Sequence, residues 1–101
     1  MIVTVFRSRL KPEAEAEYGE WATRMSELAA TMPGYVSHKG FVAADGERVT
    51  IVEFESEAAQ RAWSRHRDHV DAQKKGRKDF YSEYRLLVCR VERESVFPTT
   101  C

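Results

Sequence analysis

Cysteine, proline and glycine are scarce in this 101-residue chain, and its charges cancel. Cys89 and Cys101 are too few for a disulfide scaffold and lack the paired spacing of a structural zinc site. Gly34, Gly40, Gly46 and Gly76 are dispersed, so no glycine-rich loop follows the first strand to cradle a phosphate. Sixteen Lys and Arg balance sixteen Asp and Glu, which gives no overall attraction to nucleic acid or to an anionic membrane. No run of about 20 apolar residues exists, which excludes a membrane-spanning helix. The opening MIVTVFRSRL lacks the basic start and cleavable apolar run of a signal peptide. With two reduced thiols as the default, the expectation is a cytoplasmic protein. Cys89 falls in an apolar stretch and reads as a small core residue, while Cys101 ends the chain.

What remains is a globular composition, 43% hydrophobic and 32% charged, of a length that suits one core. We expect one domain over residues 1–101, with its core at about 2–94 and an irregular tail at 95–101. Ile2 to Leu10 is rich in β-branched residues and reads as a strand, with Arg7 and Arg9 on the side of Val3 and Val5. Pro12 then opens a helix running to about Thr31, with Glu13 and Glu15 in its first turn. Ala14, Tyr18, Trp21, Ala22, Met25, Leu28, Ala29 and Met32 recur at three and four residues and form its inner stripe. Pro33-Gly34 stops it. Two β-prone runs, Tyr35 to Ala43 and Arg48 to Phe54, flank Asp45-Gly46, a strong tight-hairpin signal.

Ser56 is placed to cap a second helix from Glu57 to about Lys75, with Trp63, His66, Val70 and Gln73 on one side. A last strand is expected from about Asp79 to Glu94. Phe80, Ser82 and Tyr84 fall in one of its rows and Tyr81 and Glu83 in the other. The order strand, helix, strand, strand, helix, strand is the ferredoxin-like split arrangement, α+β, with both helices on one sheet face. The other face needs a cover. A second copy packed face to face would make a homodimeric barrel and protect the strand edges.

The stretch Ala59 to Tyr84 concentrates the chemistry. It holds Trp63, His66, His69, Phe80, Tyr81 and Tyr84. HRDH does not match the fuller HExxH zinc motif, and a metal would need a third ligand such as His38, Asp68 or Glu83, so no metal is assigned. The residues leave open which of His66 and His69 faces inward. Trp63, with Trp21, Tyr18, Phe80, Tyr81 and Tyr84, is suited to wall a pocket for a flat, apolar ligand. Arg7, Arg9 and Arg85 can either hold an anionic ligand or pair with Glu53, Glu83 and Glu92 across the strands.

Taken in order along the chain, these pieces resemble the antibiotic biosynthesis monooxygenase family. The matching residues are Arg7 and Leu10-Lys11-Pro12, the MPGY of Met32 to Tyr35, Asp45-Gly46, and Phe54-Glu55-Ser56. They continue through Ala62-Trp63, His66, His69, Ala72-Gln73, Gly76, Phe80-Tyr81, Tyr84 and Val88-Cys89. The resemblance implies a dimeric α+β barrel with a cavity in each subunit. It also implies cofactor-free oxidation of a phenolic or quinol-type substrate by O₂, the substrate anion reacting directly. On that basis Trp63, Tyr81, Tyr84, Phe80 and Trp21 are expected to bind the substrate. His66 or His69 is expected to handle a proton, and Arg7 to hold the anion. A haem-degrading branch places asparagine near position 7 and a haem-ligating histidine roughly where Gln73 stands. Arg7 and Gln73 depart from that pattern. A non-enzymatic ligand-binding module and a haem-binding protein using His66 or His69 are the other expectations.

Overall fold

A computed structural model describes residues 1–98, and Cys101 with the end of the expected tail lies outside them. The strands are β1 (Ile2–Leu10), β2 (Tyr35–Val42), β3 (Arg48–Phe54) and β4 (Tyr81–Arg90). The helices are α1 (Glu15–Ala30), α2 (Glu57–Arg65) and α3 (Arg67–Lys75). All neighbouring strands are antiparallel, in the order β2-β3-β1-β4, which is the ferredoxin-like arrangement. Pro12 opens a short tight turn ahead of α1. The α1 stripe is buried or half-buried, and Glu13, Glu17, Glu20, Arg24 and Glu27 are exposed. Gly34 leaves α1 with φ of 83°, a conformation that costs glycine little, and its missing side chain makes room for Ala59 of α2.

Alternation on β1 divides the sheet into two faces. Ile2, Thr4 and Ser8 are buried on the helix side. The core behind them joins Phe54, fully buried, to Ala29 and Trp63, with Met25, Leu28 and Val52 packed around it. Burying a phenylalanine or leucine side chain contributes roughly 1.5–3 kcal/mol, so this three-way contact fixes both helices on the sheet. The opposite face has no helix over it. Val3, Val5, Ile51 and Leu87 stand at its centre, with Cys89 exposed rather than in the core as expected. At its rim Arg7 pairs with Glu47, and Arg9 with Asp45 and Glu83.

Two expectations for the second half of the chain change. The single helix from Glu57 to Lys75 is broken at His66, whose ψ of 132° is extended. Ser56 caps α2 as expected, its hydroxyl accepting from the Ala59 N–H at 3.1 Å. The His66 ring caps α3 in turn, Nδ1 accepting from the Asp68 N–H at 3.2 Å. Strand β4 is ten residues long rather than sixteen. A wide helical turn, Gly76–Phe80, takes up its expected start and is closed by the Tyr81 N–H on the Gly76 carbonyl. At the other end, pairing closes where the Val91 N–H reaches the Met1 carbonyl at 3.1 Å, and no strand follows among the described residues. The uncovered apolar face is the surface that a second copy would cover.

Candidate active site

A cavity of about 240 Å³ lies between the helix-side face of the sheet and the three helices. Thr4 and Phe6 of β1, Thr50 and Val52 of β3, and His38 of β2 form its floor. Tyr18, Trp21 and Met25 of α1 wall one side. Gln60 and Trp63 of α2 and His69 of α3 wall another. Phe80, Tyr81 and Tyr84 close the end. No Asp, Glu, Lys or Arg lines it among the described residues, so it suits an uncharged, largely apolar ligand.

Of the two histidines left open by the sequence, His69 lines the cavity. Its ring stacks on Trp63 with centroids 4.3 Å apart and planes 25° from parallel. On an unbroken helix at about 100° per residue, His66 would fall nearer to Trp63 than His69 does. The extended residue at His66 resets the phase, brings His69 over the indole and commits His66 to capping. Burial pushes the His69 imidazole below its ordinary value, while the backbone of Ser64 and Trp63 partly offsets this. His69 Nδ1 is buried without a hydrogen-bond partner among the described residues. Nε2 is then the ring nitrogen available to a ligand, in a ring that is neutral at pH 7.

The aromatic residues expected around the pocket all line it: Trp63, Trp21, Phe80, Tyr81 and Tyr84. Trp63 is 7% exposed. Tyr81 and Tyr84 were assigned to opposite rows of the last strand, yet both face the cavity. Arg9 opposes Glu83 while Leu10 opposes Tyr81, so Ser82 is an extra, bulged residue that turns the two tyrosines to one side. Both rings contact Phe6, at 5.4 Å each. Gly76 makes this possible, since a side chain there would strike the Tyr81 ring. Burial, with Tyr18 and Tyr84 close by, pushes the Tyr81 phenol far above its ordinary value, so it is a donor and not a base.

Arg7 is the exception. It stands on the uncovered face, its guanidinium donating to both carboxylate oxygens of Glu47 at 3.1 and 3.2 Å, and the sheet separates it from the cavity. Period-two alternation alone puts it there, because Thr4 and Phe6 face the helices. Sequence reasoning passed over Gln60, a buried polar side chain one turn before Trp63, and His38 as a wall residue. No three His, Cys, Asp or Glu side chains among the described residues are grouped to hold a metal ion.

The comparisons with known proteins decide the family. The model of the antibiotic biosynthesis monooxygenase family matches residues 1–75. The chain belongs to this family. It is 37% identical over 93 residues to YqjZ, an uncharacterized protein of Bacillus subtilis strain 168, covering 92% of this chain and 82% of that one. The structure of Rv0793 from Mycobacterium tuberculosis superposes with a TM-score of 0.83 at 16% identity, over 94% of this chain and 98% of the other. SnoaB of Streptomyces nogalater, a cofactor-independent oxygenase, superposes at 0.74 with 22% identity over 97% of each chain. At these identities the structural likeness speaks for the fold. No helix among the described residues is long and apolar enough to cross a membrane.

Neutral burial of His69 has a consequence for stability. Its folded value lies below the ordinary 6.5, so in acid the unfolded chain binds a proton that the folded chain refuses. Stability should fall as the pH drops below about 6.5. His69→Gln should remove up to about 1.4 kcal/mol per pH unit from that slope. Urea denaturation at stepped pH checks this, and an unchanged slope in the variant contradicts it.

Proposed function

We propose that this chain is a cofactor-independent oxygenase for a small, flat, electron-rich aromatic substrate such as a phenol, hydroquinone or anthrone. The observation that carries the reading is the uncharged aromatic cavity in which His69 is stacked on Trp63 and kept neutral. Trp63 supplies a flat wall for the ligand. His69 takes a proton from the bound substrate. The resulting carbanion or phenolate is electron-rich enough to reduce O₂ directly. For an anthrone the CH₂ carbon becomes a carbonyl, one oxygen atom enters it, and the other leaves as water. The chain's part is to hold the ring, accept the proton and keep bulk water out. Family membership and the likeness to a cofactor-independent oxygenase support this reading. The cavity is slightly below the usual 300–1,000 Å³ or so of ligand pockets, which favours two or three fused rings over a porphyrin.

We expect oxygen uptake with a panel of anthrones and hydroquinones. Trp63→Phe should lower kcat/KM several-fold, and His69→Ala by about 10²-fold or more, the usual worth of a general base. His66→Asn, which keeps an acceptor at the cap of α3, should stay near the wild-type rate. Full activity in the His69 variant contradicts the assignment of the base. Ligand binding without oxygen uptake would make the chain a binding module.

We also propose a cytoplasmic homodimer in which a second copy covers the Val3, Val5, Ile51 and Leu87 face. Sedimentation at micromolar concentration should give a two-subunit mass, reduced to one subunit by Ile51→Lys. A single-subunit mass for the wild type contradicts the barrel.

A further inference from the structure

Deprotonating a substrate in this cavity leaves a negative charge that needs a hydrogen-bond donor. The expected cation, Arg7, is on the wrong face of the sheet, and no charged side chain among the described residues lines the cavity. A donor must therefore come from a polar group with its hydrogen fixed in place. His38 has that property. A bulge in β2 sets Tyr35 opposite Phe54 and Ser37 opposite Glu53, leaving Val36 unopposed. Tyr35 and His38, three apart, are thereby turned to the same side. The Tyr35 hydroxyl lies 2.6 Å from His38 Nδ1. Tyr35 is itself packed against the core formed by Phe54 and Trp63, so the pair is held from below. When the phenol donates to Nδ1, the ring hydrogen sits on Nε2, the nitrogen free to meet a ligand in the cavity that His38 lines.

We propose that His38, oriented by Tyr35, donates through Nε2–H to the carbonyl oxygen of a ketone substrate such as the anthrone above. The proposal rests on the reading of the cavity as a substrate site. The C–H bond breaks, its proton goes to His69 Nε2, and the electron pair passes through the ring onto the carbonyl oxygen. That oxygen becomes an enolate held by the His38 N–H. The two histidines thus divide the work: His69 presents a lone pair, His38 a hydrogen. Tyr35 is a positioning residue, since it fixes the tautomer without touching the ligand.

Two measurements on the full chain test this. In ¹⁵N-labelled protein, long-range ¹H–¹⁵N spectra should show His38 as the Nε2–H tautomer, and Tyr35→Phe should lose that preference. Binding is then measured for 9-fluorenone and fluorene, which differ at the carbonyl and do not turn over. His38→Leu should weaken fluorenone about tenfold, the worth of one hydrogen bond, while fluorene changes by less than about twofold. An Nδ1–H tautomer, or equal loss of both probes in the variant, overturns the role of His38 and leaves the cavity reading intact. Failure of the wild type to bind either probe overturns the cavity reading and the proposal with it.

Discussion

The contact between the rings of His69 and Trp63 is the one on which the site depends. It joins the two short helices, places the His69 imidazole beside an aromatic wall, and largely removes the ring from bulk water. It exists because the chain is extended for one residue at His66. A continuous helix would have been simpler to form, and the interruption leaves two sets of helix ends to satisfy. The chain meets this locally: the His66 N–H is bonded to the Trp63 carbonyl, and the His66 ring accepts from the first turn of α3. The local signal at His66 is weak, since histidine is only a middling helix former. The packing of Trp63 into the core with Phe54 and Ala29 supplies the tertiary constraint that the break serves.

Two β-bulges complete the enclosure, and both have the same effect. In a regular strand, residues three apart face opposite sides. Val36 and Ser82, each unopposed, put Tyr35 with His38 and Tyr81 with Tyr84 on the cavity side. These irregularities gather more functional groups above the sheet than alternation permits. They also explain how a cavity can be rich in hydrogen-bonding side chains while Arg7, Arg9, Glu83 and Arg85 remain on the other face. Arg7, Arg9 and Glu83 meet Glu47 and Asp45 there, around an apolar centre.

Much of this was legible in the residues. Hydrophobic spacing placed β1, α1 and β3 closely, Asp45-Gly46 marked the hairpin, and Ser56 marked the start of α2. The aromatic walls could be named because large rings at inward positions have few other places to go. The failures have two causes. The choice between His66 and His69 as the inward residue stayed open, Tyr81 was separated from Tyr84, and Cys89 was taken as buried. Each depended on continuing a regular period through a position where the chain breaks it, or on assuming that both sheet faces are covered. His38 was weighed only as a metal ligand, because nothing local announces the bulge that pairs it with Tyr35. Arg7 was drawn into the site by its charge and by the resemblance, whereas its own alternation with Thr4 and Phe6 pointed to the other face.

In the function proposed for this chain, a flat aromatic ligand occupies the space beside Trp63 and His69. A crystal structure of the chain with 9-fluorenone tests it most directly. The ring system should lie against the Trp63–His69 wall, between the helices and the sheet, with its carbonyl oxygen toward β2. A ligand seated on the uncovered sheet face, or a cavity closed by rearranged side chains with no ligand inside, would contradict it.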